Sequence, residues 1–414
     1  MPEAAPIDSN RSRPQPRANT GSAFLDLLVE ASTKFVHLER RFDPFFRPLF
    51  DALLQEPLTK VATALINWPR KNEGFKIAEE RPIPDEERYL QSIIDSFSKQ
   101  MQALWKPGGF ERGGNTKTHG MVRGEFIIHK DLPQHLRRGL FAEPKTYRAW
   151  VRFSGPGPYI TPDIDDVGFM SISIKLMGVP GPKLLDDEKF TVDFMGVSTP
   201  TFVTPDTNAN AQLQIESYKN AQILYFINLH RTHILDFIMQ GLWLKAQSSP
   251  FEAPYFSCVP YLFGEGQAMM FSVWPKTRKR TPIPSVPFRP PDDYLRDAMV
   301  KSLSEGDVEL DFRVQLQTDP HLMPIENAGV LWPPRLSPRV SVATLRLPKQ
   351  IFNSPSQIAF ARRLTYNPWH AMPDHRPLGN QSRARRRMYF ELARLRQTMN
   401  QVAHYEPTGD EVFE

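Results

Sequence analysis

Val308-Glu309-Leu310-Asp311-Phe312-Arg313-Val314-Gln315-Leu316 alternates apolar and polar residues without a break. Successive side chains of a β-strand point to opposite faces, so this period of two predicts a strand with one face in the core and the other toward polar surroundings. The signature recurs upstream. Tyr147, Ala149, Val151 and Phe153 alternate with Arg148, Trp150, Arg152 and Ser154. Met170, Ile172, Ile174 and Leu176 alternate with Ser171, Ser173, Lys175 and Met177. The alternation begins near Gly124, and Ala268 to Trp274 and Arg339 to Leu347 read as further strands. Separated strands with few helices between them favour an antiparallel sheet or barrel over βαβ units.

On either side of this region the period changes. Phe24, Leu28, Ala31, Phe35, Leu38 and Phe42 recur at spacings of four and three, which predicts a helix from Gly21 that Pro44 and Pro48 should break. A second apolar stretch covers Phe50 to Ile66. This Phe-rich arm is expected to pack on the main domain or a sister subunit, with peripheral contact to a membrane surface as the alternative. Ser356 to Tyr366 is compatible with a helix, and Arg383 to Val402 is a stronger one, with Met388, Leu392, Leu395 and Met399 on one face and arginines opposite. The expected organisation is α+β: a disordered, Pro- and Arg-rich N-terminus (1–20), a helical arm (21–108), an antiparallel β-barrel (109–350), C-terminal helices (351–403) and a tail (404–414).

Composition narrows the function classes. The 414 residues carry a net charge of only +5, with acidic residues interspersed throughout, which argues against a nucleic-acid partner and suits a small acidic ligand. The 40 prolines are scattered, as befits many short elements joined by stiff loops. Cys258 is the one cysteine, so no intrachain disulfide and no cysteine-based zinc site can form. The N-terminus shows no apolar leader segment, and the most apolar stretch, residues 221–246, is interrupted by His230, Arg231, His233 and Asp236. A cytoplasmic, reducing location is the expectation.

Chemistry concentrates near Tyr366. In a helical segment Arg362 lies one turn before Tyr366, where a guanidinium stabilises a phenolate, a hard anionic ligand suited to ferric iron. Four blocks support this reading. They are Thr118-His119-Gly120 followed by Arg123-Gly124-Glu125-Phe126; Val151-Arg152-Phe153-Ser154; Gly168-Phe169 with Lys175, Thr199-Pro200 and Phe202; and Arg362-Arg363-Leu364-Thr365-Tyr366 followed by His375-Arg376-Pro377-Leu378-Gly379. In this order and spacing the chain resembles the haem catalase superfamily over roughly residues 110–400. The resemblance implies a catalase-like antiparallel barrel and haem b, with iron bound by Tyr366 and Arg362 as its partner. It implies His119 as the distal acid–base residue, with Arg152, Ser154 and Arg376 holding propionates and Phe169 and Phe202 covering the haem. It also implies assembly as a homo-oligomer acting on a small peroxide.

Three positions depart from the family's pattern. Val197 stands where catalases carry an asparagine that helps hold peroxide, and Thr116 where they carry a propionate-binding arginine, with Lys117 as a conceivable replacement. Thr118 precedes the distal histidine, as in the allene oxide synthase branch, where its hydroxyl tempers that histidine. Only 48 residues follow Tyr366, room for one helix and not for the family's usual C-terminal domain. The expected activity is therefore O–O bond cleavage in hydrogen peroxide or organic hydroperoxides. A fatty-acid hydroperoxide-transforming enzyme and a non-catalytic haem-binding protein are the alternatives.

Overall fold

The computed structural model describes residues 16–228, 232–277 and 280–413. Most of the N-terminal stretch expected to be disordered, and His230 and Arg231, lie outside the described residues. The strands are β1 (Thr118–Ile128), β2 (Thr146–Ser154), β3 (Ser171–Leu176), β4 (Val192–Val197), β5 (Tyr255–Phe256), β6 (Tyr261–Leu262), β7 (Ala268–Pro275), β8 (Val308–Leu316) and β9 (Val340–Leu347). Their order is β5-β4-β3-β2-β1-β9-β8-β7-β6, all antiparallel, and β5 also pairs with β7. That last pairing closes eight strands into a barrel and leaves β6 as a short ribbon on β7.

The alternating residues explain the closure. Val151, Phe153, Ile172, Ile174, Leu310, Phe312 and Val314 all point into one buried core. The barrel is filled by aromatic rings and is not a channel. Phe312 meets Phe126 edge-on at 5.0 Å, Phe194 at 5.1 Å and Phe271 in a stack at 5.1 Å. The opposite faces of β2 to β4 are not solvated as simple alternation suggests: Trp150, Arg152, Lys175 and Asp193 are buried as well. Helices cover them.

Those helices are α1 (Ala23–Leu53), α2 (Gln55–Asn67), α3 (Glu86–Leu104), α4 (Thr207–Tyr218), α5 (Ile223–Phe226), α6 (Ile234–Trp243), α7 (Tyr294–Glu305), α8 (Pro355–Arg363) and α9 (Asn380–Asn400). More of them interrupt the strands than the sequence suggests, with α4 to α6 between β4 and β5 and α7 between β7 and β8. Two further expectations need correction. Pro44 and Pro48 do not break α1, which runs through both. Tertiary contacts outweigh the lost backbone bonds: Arg47 donates to the Leu244 carbonyl at 2.7 Å, Arg40 to Val167 at 3.3 Å, and Asp43 accepts from the Ala246 amide. In addition, α8 stops at Arg363, so Tyr366 lies beyond the helix and shares no helical face with Arg362.

Candidate functional site

A cavity of about 260 Å³ lies outside the barrel, between the outer faces of β2 to β4 and the layer formed by α3, α4 and α9. The strands contribute Arg152, Ser173, Met195 and Val197. Phe97 and Met101 of α3, and Met388 and Leu392 of α9, form an apolar wall. Phe169, Phe202 and Tyr366 also line it.

Four arginines line the cavity, and three of them, Arg112, Arg152 and Arg396, bear on one another's charge. Arg152 donates to the Thr118 hydroxyl at 2.7 and 3.1 Å and to the Asn115 carbonyl at 2.6 Å. Arg112 donates to the Ala361 carbonyl at 3.0 Å, and Arg396 to the Leu364 carbonyl at 3.1 Å. The last two thus cap the end of α8, where orphan carbonyls and the helix dipole favour cations. Burial holds all three below the ordinary arginine range, and Arg112 repels both Arg152 and Arg396. An anion in the cavity would relieve this.

Tyr366 sits among these charges. Burial raises its phenol to about 12, while Lys175, Arg152 and Arg112 pull the other way. Its hydroxyl lies 3.9 Å from the Met121 sulfur. Below the ring, the Lys175 ammonium is 5.4 Å from the ring centroid, and it pairs with Asp193 at 2.8 Å and with Glu188. Asp193 in turn accepts from the Asn367 amide at 2.9 Å and contacts His370 at 2.9 Å, which fixes the turn carrying Tyr366. His370 is raised to about 9: burial opposes the charged form, but its bonds to Asp187 and Asp193 outweigh it. Glu188, Asp193 and His370 are close enough to share a cation, and Lys175 already supplies the positive charge there.

His119 occupies a different space. It sits at an irregularity of β1 between Thr118 and Gly120, fully buried, with neither ring nitrogen hydrogen-bonded. Its small chamber is walled by Arg40, Asp163, Asp166 and Gln247, and Phe169 borders both this chamber and the large cavity. The Asp163 carboxylate is 3.5 Å away and pairs with Lys117 at 2.8 Å. Burial, then Lys117, Arg296 and Arg152, hold His119 well below the usual imidazole range, so it is neutral at pH 7.

The cavity therefore gathers Tyr366, Arg152, Phe169 and Phe202 of the residues expected from sequence. The others stand elsewhere. Arg362 pairs with Glu111 and not with Tyr366. Arg376 pairs with Glu80 at 2.6 Å and is not in the cavity lining. Thr118 is held by Arg152 and makes no bond to His119. Ser154 is buried at the end of β2, outside the lining, with its hydroxyl unpaired. Lys117 pairs with Asp163 and Asp293 and does not replace an arginine at the cavity. Sequence reasoning missed Arg112, Arg385 and Arg396. The signal was present in α9, where 385, 388, 389, 392 and 396 fall on one helical stripe and so set two arginines beside the apolar residues.

By sequence, the chain matches no protein-family model and no curated protein. By structure, it is similar to catalase A from Saccharomyces cerevisiae, with a TM-score of 0.58 and 14% identity over 83% of this chain and 72% of that one. A fungal catalase matches with a TM-score of 0.55 and 15% identity, over 83% of this chain and 70% of that one. The chain has a catalase-like fold.

The catalase-like barrel carries residues that suit a haem. Arg112 and Arg385 each present a buried, unpaired guanidinium nitrogen, and both line the cavity, as an anionic ligand requires. The apolar wall suits a macrocycle, and Tyr366 offers a phenol that burial holds at about 12 and that Lys175, Arg152 and Arg112 pull toward ionisation.

Proposed function

We propose that this protein is a haem-dependent, catalase-related oxidoreductase that cleaves the O–O bond of hydrogen peroxide or organic hydroperoxides. The observation that carries the reading is the Tyr366 phenol in a mostly apolar cavity ringed by guanidinium groups. Tyr366 would hold the iron, and Arg112, Arg152, Arg385 and Arg396 would pair with the propionates. Haem iron, when bound, would supply the redox chemistry.

The chain's own residues do the rest. Arg152 and Lys175 stabilise the phenolate. Phe169 and the apolar residues of α3 and α9 exclude water. His119 would take a proton from the inner oxygen of a hydroperoxide through an unpaired ring nitrogen and return it readily to the outer one, since burial and nearby cations disfavour its charged form. Phe169 stands between His119 and the cavity, so its ring has to yield for that transfer.

A second reading is a fatty-acid hydroperoxide-transforming enzyme. Val197 in the lining favours it, since valine offers no hydrogen bond to a small peroxide, and so do the apolar walls. Titration with haem followed by product analysis tests both. A one-to-one ferric complex yielding oxygen or an alcohol supports the first reading, and an allene oxide or aldehyde supports the second. Failure to take up haem sinks both.

A further inference from the structure

The two N-terminal helices have contrasting sides. The inner side of α1 is fastened to the body by buried Arg40, Asp43 and Arg47, and Arg47 bonds into the segment after α6. On the other side large apolar side chains stand in the open: Phe24 is 73% exposed, Phe35 70% and Phe45 64%. Isolated exposed apolar residues need no account, but an uninterrupted row marks a covered surface.

The period of the row says what covers it. At about 100° per residue, the exposed apolar residues of α1 from Phe24 to Leu53, Val36 apart, fall within an arc of about 100°. Leu27 and Phe45 bound it on one side, Leu28 and Phe46 on the other. No charged residue lies inside it; Lys34 and Glu39 flank it. On the 3.5-residue period of a coiled-coil seam the same side chains would spread over about 150°. The stripe keeps the 3.6-residue period of an ordinary amphipathic helix, which suits a flat apolar partner better than a wound coiled-coil seam. In α2 the row continues through Leu58, Val61 and Leu65 to Trp68, which is 87% exposed just before Arg70 and Lys71. An exposed tryptophan next to basic residues suits the lipid headgroup level. Among the described residues no helix is long and apolar enough to cross a membrane.

We infer that α1 and α2 form an interfacial anchor, lying in the plane of a lipid bilayer with the Phe24–Trp68 stripe in the acyl boundary. Residues 21–72 hold seven Lys and Arg against six Asp and Glu, so apolar burial and not lipid charge drives the docking. Arg40 closes the His119 chamber from the inner side of the same helix, so the lipid-facing stripe and the chamber wall are two sides of one element. The inference is independent of whether haem binds.

The test is flotation of the full chain with phosphatidylcholine vesicles, beside its lipid-free mass by light scattering. The expected result is a chain that floats with neutral vesicles, with flotation little affected by salt, and whose lipid-free mass the variant below leaves unchanged. The triple variant Phe35→Ser, Phe42→Ser, Phe45→Ser changes exposed side chains only. With its circular dichroism unchanged, it should float at least about tenfold less. A wild type that stays at the bottom of the gradient overturns the inference. So does a lipid-free dimer that the triple variant dissociates, because a second copy then covers the stripe.

Discussion

Tyr366 and His119 stand on the two sides of Phe169, and their surroundings are built in opposite ways. Around Tyr366 there is space and an excess of buried cations, with guanidinium nitrogens of Arg112 and Arg385 unpaired. Around His119 there is almost no space, the imidazole is neutral, and both of its nitrogens are unpaired. The first arrangement suits an anionic ligand and pulls toward ionisation a phenol that burial still holds at about 12. The second keeps a proton carrier uncharged and dry until something reaches it. On the proposed function the contrast puts affinity on one side and proton transfer on the other, and variants on the two sides should separate them.

The largest effect belongs to Tyr366→Phe. Removing a first ligand should cost more than the roughly 10–100-fold typical of outer-shell partners, so haem titration should show affinity reduced by more than about 100-fold and an altered ferric spectrum. An unchanged spectrum would remove Tyr366 from the iron. His119→Ala should do the reverse, keeping the spectrum while peroxide turnover falls by roughly 10²–10⁴-fold. Turnover that survives this change places the proton carrier elsewhere.

The two sides also respond oppositely to pH. His370, behind Tyr366, is raised to about 9 from 6.5, so the folded state holds a proton the unfolded chain has lost. Its stabilisation is complete below pH 6.5 and disappears as pH rises through 9, up to about 3 kcal/mol. His119 is lowered, so the unfolded chain gains a proton first, and stability is lost as pH falls below 6.5. Chemical denaturation across pH should therefore show His370→Gln flattening the alkaline limb and His119→Gln the acid limb. The same limb flattened by both would end the contrast. The smallest effect concerns which guanidinium serves Tyr366. Arg152→Lys should weaken haem binding by about 10–100-fold, while Arg362→Lys leaves it unchanged, because Arg362 is engaged by Glu111. Equal losses would return Arg362 to the phenol.

The sequence by itself determined the barrel. Alternation at 147–153, 170–176 and 308–316 is a local property of each strand, and one face of each had to enter a common core. It also marked Tyr366, Arg152, Phe169 and Phe202, which the cavity gathers. Only the tertiary structure decided the charge partners. Arg362 was expected beside Tyr366 because a helix was extended three residues too far; α8 ends at Arg363, and the turn sends that guanidinium to Glu111. Arg376 likewise goes to Glu80, and Arg112, from before β1, meets Arg385 and Arg396 of α9 from a segment far away in the chain. A period fixes which face of an element is buried because neighbours along the chain share it. Which buried cation meets which anion depends on where separate elements end and how they dock, and no local pattern contains that.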